Sequence, residues 1–380
     1  MTVPLAASRL PSLTGLRFLA AFGVFIGHAY PTAAFIPLAM VSVSFFFVLS
    51  GFVLAWSARE DDTARAFWRR RFWKVFPNHA VTWASMLAVI AVTGVATAPG
   101  FADDDTSHEV PAVANLLLVH TWLPVRELIF SVNPVSWSLA AELAFYLLFP
   151  LLFPVVARVR TALLPALLAG MIALVWLVAL TSMAMTGLPV AEGQLDEPMP
   201  RFWFAYYFPL SRLPEFLIGV VLARMVRGGF TPRLGVLPGV ALTAAALAAK
   251  PLLPMPFSVA ALSAVPIALV VVGAASTDVR GVRTAWGARP MVFLGEISFA
   301  LYLSHYQIIL LFDLYVGGSV RQTIGPAATV LLLTTVCTLV AWGMFAWIER
   351  PLMRRFGTTP RAGRTRPPGV REPSRTRGAE

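Results

Sequence analysis

Ten stretches of this chain are long and apolar enough to cross a bilayer, which leaves few folds open to it. They cover about residues 13–31, 38–56, 75–97, 135–156, 162–185, 202–226, 234–250, 256–274, 290–313 and 324–348. A hydrocarbon core roughly 30 Å thick takes about 20 helical residues to cross. Inside it every backbone N–H and C=O must find an internal partner, so such runs fold as helices. The expected fold is therefore all-α, a polytopic membrane protein of about ten transmembrane helices. A hydrophobic share of 58% and a mean hydropathy of +0.74 exclude an ordinary soluble domain. An eleventh apolar stretch, 111–124, is too short to cross and reads as a re-entrant or surface-lying piece.

The basic residues orient the chain. With ten crossings and a cytoplasmic N-terminus, most of the 30 Lys and Arg residues fall on the inner side, in clusters at Arg59 to Lys74, Arg158 and Arg160, Arg224 to Arg233, Arg280 to Arg289, and from Arg350 onward. The outer segments hold only Arg126, Arg201, Lys250 and Arg321. That asymmetry places both termini in the cytoplasm and the protein in the cell (inner) membrane as a multi-pass chain. The sequence pI of 10.7 then reflects topology, and nucleic-acid binding is not expected. Two regions follow: a membrane domain over 1–356, and a disordered, basic cytoplasmic tail over 357–380, rich in Arg, Pro, Thr and Gly and too poor in apolar residues to bury a core. No cleaved signal peptide is expected, because the first helix carries ionisable residues of its own.

Those residues are Arg17 and His28, with ten residues between them. At about 100° per residue they return to within about 20° of one another, on one helical face and about 16 Å apart along the axis. Ionisable groups inside a membrane helix are costly and mark function by default. An arginine snorkelling to the headgroups, or a histidine bonded to a neighbouring helix, would also account for them. A second feature is Phe67-Trp68-Arg69-Arg70-Arg71-Phe72-Trp73-Lys74-Val75-Phe76-Pro77, read as a cytoplasmic loop between the second and third spans. Guanidinium forks bind phosphate bidentately, so the cluster suits a phosphorylated cytosolic ligand. A topogenic cluster flanked by interfacial aromatics is the alternative.

Taken in order, the motifs resemble the bacterial acyltransferase family 3 of integral membrane O-acyltransferases. Leu13-Thr14-Gly15-Leu16-Arg17-Phe18 with His28 is similar to that family's opening Arg-x10-His signature, and Val43 to Phe52 to its second-helix motif. Phe67 to Pro77 resembles its arginine-rich loop, and Trp137-Ser138-Leu139-Ala140-Ala141-Glu142 its Trp-Ser-Leu-x-x-Glu pattern. Arg212 to Phe216, Gly295 to His305 and Glu349-Arg350-Pro351 fit the later helices, so the resemblance covers roughly residues 10–356. One departure stands out: a second acidic residue often follows the glutamate, and this chain has Leu143 there. The Phe-Trp-Arg-Arg-Arg and Phe-Pro-Asn-His stretches resemble actinobacterial members, some of which acylate macrolides.

The resemblance implies an acyl-CoA-dependent O-acyltransferase, with acetyl-CoA or another short acyl-CoA as co-substrate and a hydroxyl of a carbohydrate or secondary metabolite as acceptor. It implies that Arg17 and His28 are essential, that Ser138 and Glu142 support the site, and that Arg69, Arg70 and Arg71 hold the CoA phosphates; Lys74 joins them in the same cluster. The chemistry agrees. An imidazole with an ordinary pKa near 6.5 is matched to taking a proton from a hydroxyl as it attacks a thioester, which makes His28 the candidate general base. Ser138 and Glu142, four apart, share a helical face, and an intramembrane Glu142 needs a partner such as His28, Arg17 or Arg212. His305, beside Ser304 and Tyr302, either touches the site or bonds between helices. Arg212 and Glu215 read as a structural ion pair. No metal is expected, since no two histidines have ligand spacing and Cys337 is the single cysteine. Oligomeric state stays open. A transporter or flippase using Arg17, His28 and Glu142 as a proton relay is the alternative from a different class.

Overall fold

The computed structural model describes residues 10–32, 34–59, 62–95, 109–192 and 195–357. The tail expected from 357 onward therefore falls almost wholly outside the described residues, as do Asp103 to His108 of the outer loop. The chain is a helical bundle. In order it forms α1 Pro11–Ala29, α2 Phe35–Ser57, α3 Ala64–Thr93, the short α4 Glu109–Leu116 and α5 Arg126–Ile129, then α6 Trp137–Arg158 and α7 Leu164–Ser182. A small antiparallel pair, β1 Pro189–Ala191 with β2 Leu195–Pro198, leads into α8 Met199–Phe202. The rest comprises α9 Pro209–Arg227, α10 Leu237–Ala249, α11 Leu262–Val279, α12 Arg289–Tyr315, α13 Gly317–Met344 and α14 Arg350–Phe356.

Eight helices among the described residues are long and apolar enough to cross a membrane. They account for eight of the ten expected segments; the other two are α9 and α10. The α9 helix carries Arg212, Glu215, Arg224 and Arg227, and α10 with its following turn is short, Leu237–Leu252. The fold is that of an all-α polytopic membrane protein. Its outward faces are greasy: Leu174, Leu177 and Leu180 on α7 and Leu331, Leu339 and Trp342 on α13 are all exposed, as lipid-facing side chains would be.

Glycines set the closest helix contacts. A Cβ at Gly51 on α2 would lie 1.9 Å from Phe216 O on α9, and one at Gly219 on α9 would lie 1.8 Å from Val48 O on α2. The α1–α12 contact uses the same device, since a Cβ at Gly295 would lie 1.8 Å from Thr14 O. Membrane helices gain no hydrophobic drive from one another in lipid, so backbone approach over small residues is what lets them pack. Gly15, Gly51 and Gly295 each lie within three residues of a side chain that reaches the site described below: Arg17, Ser50 and Ser298.

The arginine-rich segment is helical, and this corrects the loop expected there. Residues 64–93 form one helix, capped by Thr63 Oγ1 accepting from the Ala66 N–H, with Pro77 inside it. The 111–124 stretch does not cross: α4 ends at Leu116, and the chain turns back through Leu118 and Val132, both at positive φ. Asn115, His120, Ser131 and Ser136 are fully buried in this piece. Hydrogen bonds link them, the Asn115 amide donating to Ser131 O at 2.7 Å and to Ser136 Oγ at 3.1 Å, with His120 Nε2 3.4 Å from that hydroxyl. Burial pushes His120, outside the spanning helices, down to about 3, so its ring is neutral at physiological pH. The folded-in piece bonds to Ser136, the residue just before α6.

Candidate active site

One cavity, holding about 860 Å³ of space that is partly open to solvent, draws polar side chains from five helices. Arg17 comes from α1, Ser50 from α2, Arg71 and Lys74 from α3, Ser138, Glu142 and Tyr146 from α6, and Ser298 and Tyr302 from α12. Phe46, Phe47, Leu54 and Leu139 supply apolar wall. The mixture of greasy lining and a few convergent polar groups is that of a ligand site.

The polar groups are unequally committed. The Tyr302 hydroxyl donates to Val135 O at 3.0 Å, so Ser138 Oγ, 2.6 Å away, donates to the phenol oxygen. Glu142 accepts from the Tyr146 hydroxyl at 3.0 Å, one helical turn further along α6. Lys74 pairs with Glu349, a buried carboxylate that also accepts from the Asn78 amide at 2.8 Å. The Arg71 guanidinium lies over the rings of Phe67 and Tyr146, at 5.7 and 6.0 Å, and its buried Nε has no hydrogen-bond partner. No hydrogen bond or ion pair joins Arg17 to another described residue. Two guanidinium groups, Arg17 and Arg71, thus face the cavity with only Glu142 to offset them, since Lys74 is matched by Glu349. An anionic ligand is favoured there.

Of the residues singled out from the sequence, Arg17, Arg71, Lys74, Ser138 and Glu142 are brought together here. Arg69 and Arg70 are not in the lining; Arg69 is exposed and Arg70 pairs with Asp62. His28 is not in the lining either. Its half-buried ring lies one layer beyond, 5.1 Å from the His305 ring, and His305 in turn is 5.9 Å from the ring of Tyr302. Tyr302 therefore stands between the cavity and the histidine pair. Arg212 and Glu215 form a buried ion pair at 2.8 Å, with Arg212 also donating to Ser44 Oγ at 2.9 Å. They brace α9 against α2 and do not line the cavity. Ser50 and Glu349 entered the sequence reading only as members of motifs, with no site role, and Tyr146 did not enter it. The four-residue step from Glu142 to Tyr146 was the one signal that could have paired a polar partner with the carboxylate. Among the described residues no three His, Cys, Asp or Glu side chains group to hold a metal ion.

Comparison with known proteins agrees with the motif order. A family model described as "Acyltransferase domain" matches residues 10–346. The chain is 37% identical over 373 residues to the acyltransferase MdmB of Streptomyces mycarofaciens, an alignment covering 93% of this chain and 94% of that protein. No solved structure matches it. A polytopic helical chain whose polar residues meet in one intramembrane cavity, matched by the family model over nearly its whole length, belongs to the acyltransferase family 3 and is a membrane acyltransferase.

Proposed function

We propose that this protein transfers an acetyl or other short acyl group from acyl-CoA to a hydroxyl of a carbohydrate or secondary metabolite at the cytoplasmic membrane. The observation that carries this reading is the meeting of Arg17, Arg71 and Lys74 over a cavity that also holds Ser138 and Glu142. Cations held in a low-dielectric wall suit a phosphorylated donor, because a charge-assisted hydrogen bond there is about twice as strong as a neutral one. Arg69, exposed at the start of α3, draws the same donor in from the cytoplasm.

Distance assigns the two residues of the first helix to different tasks. Arg17 and His28 are about 16 Å apart along α1. A base and an oxyanion donor must both lie within about 3 Å of the reacting atoms. Arg17 is therefore a phosphate-end contact, and His28 works at the acyl end. The long pantetheine arm of CoA joins the two, its acyl end passing Tyr302. The acceptor oxygen then attacks the thioester carbonyl carbon and its proton passes to His28. The C–S bond breaks, and the departing thiolate recovers that proton from the imidazolium, giving the ester and free CoA. Glu142, held by Tyr146, balances the arginines rather than taking the proton.

Free-thiol release from acetyl-CoA by the purified protein in lipid tests this, with envelope or metabolite extracts as acceptor. Release should require an extract and fall at least about a hundredfold in His28→Ala, the scale of a lost general base. Intact acyl-CoA alongside pH-gradient-driven flux of a solute would overturn the enzyme reading in favour of transport.

A further inference from the structure

We propose that His305 is a positioning residue that fixes the tautomer of His28 and leaves His28 Nε2 as the basic nitrogen. This rests on the reading of His28 as general base and adds a second residue to it.

Helix α12 packs along α1, and the two rings meet across that interface. His305 is fully buried, and its Nδ1 lies 2.7 Å from Tyr302 O and 3.2 Å from Leu301 O. A carbonyl oxygen only accepts, so Nδ1 of His305 carries the hydrogen. A neutral imidazole has one N–H, and its other nitrogen is then an acceptor. That nitrogen, His305 Nε2, lies 3.2 Å from His28 Nδ1. His28 Nδ1 also lies 3.0 Å from Val24 O. Both groups around His28 Nδ1 are acceptors, so the hydrogen of His28 sits there as well. Its Nε2 is left with a lone pair, bonded to no described residue. Edge contact with Tyr306, ring centroids 5.5 Å apart, holds the plane of the imidazole.

The arrangement has a catalytic consequence beyond packing. When His28 takes the acceptor proton on Nε2, its Nδ1–H becomes the donor of a charged hydrogen bond into the His305 lone pair. Such a bond is stronger than the neutral one it replaces, so it favours the state in which the proton has moved. This is the base-and-orienter logic of nucleophilic active sites with a neutral imidazole in the orienter's place. Tyr302 ties the pair to the cavity: its backbone carbonyl fixes His305 while its phenol holds Ser138. A plain interhelical hydrogen bond would explain the 3.2 Å contact but would not require the His28 hydrogen to sit on Nδ1.

The test has two arms. In the first, kcat and KM for acetyl-CoA are measured for wild type, His28→Ala, His305→Leu and His305→Gln. His305→Leu should lower kcat at least about tenfold with KM little changed, and His305→Gln, whose amide oxygen can accept near the same place, should recover most of it. Full kcat in His305→Leu while His28→Ala is inactive would overturn the positioning role alone. Full kcat in His28→Ala would overturn the base assignment on which it rests. The second arm needs no variant. Wild type is alkylated with iodoacetamide, and the nitrogen modified on His28 is identified after hydrolysis. Modification at Nε2 is expected; modification at Nδ1 would overturn the proposal.

Discussion

Arg71 and Lys74 are three positions apart on α3 and both reach the cavity, while Arg69 and Arg70 do not. Helical geometry makes the difference: successive residues turn by about 100°, so three adjacent arginines cannot share a face, whereas residues three apart do. The sequence shows the cluster as a single basic patch because a loop would let every member reach one ligand. Only the helix over 64–93 sorts them. On this account Arg71→Gln raises KM for acetyl-CoA by about ten- to a hundredfold, the equivalent of one lost charged hydrogen bond, with kcat little changed. Arg70→Gln, whose parent side chain pairs with Asp62, raises it far less. Steady-state kinetics of the two variants checks the contrast, and equal effects would contradict it. His28 shows the opposite kind of legibility. Its shared face with Arg17 is read directly from spacing, but its separation from the cavity by the Tyr302 layer depends on where α12 lies. That is tertiary information no single-helix pattern carries.

At the scale of elements, most spans were legible because lipid demands long uninterrupted apolar helices, and hydropathy measures that demand. Two elements depart from that simple pattern. The α9 helix, read as the span 202–226, is not among the eight apolar enough to cross, since it carries Arg212, Glu215, Arg224 and Arg227; Arg212 and Glu215 are almost completely buried and neutralise one another. The start of α3 is amphipathic and charged, and so reads as loop. The glycines in Leu49-Ser50-Gly51 and Gly295-Glu296 carry no apolar signal, and their role as backbone contacts emerges only from the packed pair. That role is testable at Gly219, whose added Cβ would collide with Val48 O. Gly219→Ala should destabilise the folded protein by about 1–3 kcal/mol, the cost of overpacking a close contact. A thermal melt in detergent would show the lower midpoint. Gly170, inside α7 with open space around its would-be Cβ, is the control, and Gly170→Ala should not lower the midpoint and should raise it slightly through helix propensity.

For the whole molecule, the account joins sidedness to chemistry. Basic residues cluster at the chain segments assigned to the cytoplasm, the arginine-rich start of α3 leads from that side to the cavity, and His28 sits toward the opposite end of α1. The donor should therefore enter from the cytoplasm. Composition made the membrane class legible, and the motif order made the family legible. The acceptor was not legible, because nothing in a helix pattern encodes the shape of the space in front of His28. The most direct measurement is the fate of acyl-labelled acetyl-CoA given to sealed vesicles of known orientation, with acceptor extract on both sides. Label should pass into an alkali-labile ester when the donor meets the cytoplasmic face, and not when it meets only the outer face. Acetyl-CoA recovered intact from both orientations, with protein shown to be folded, would contradict the account.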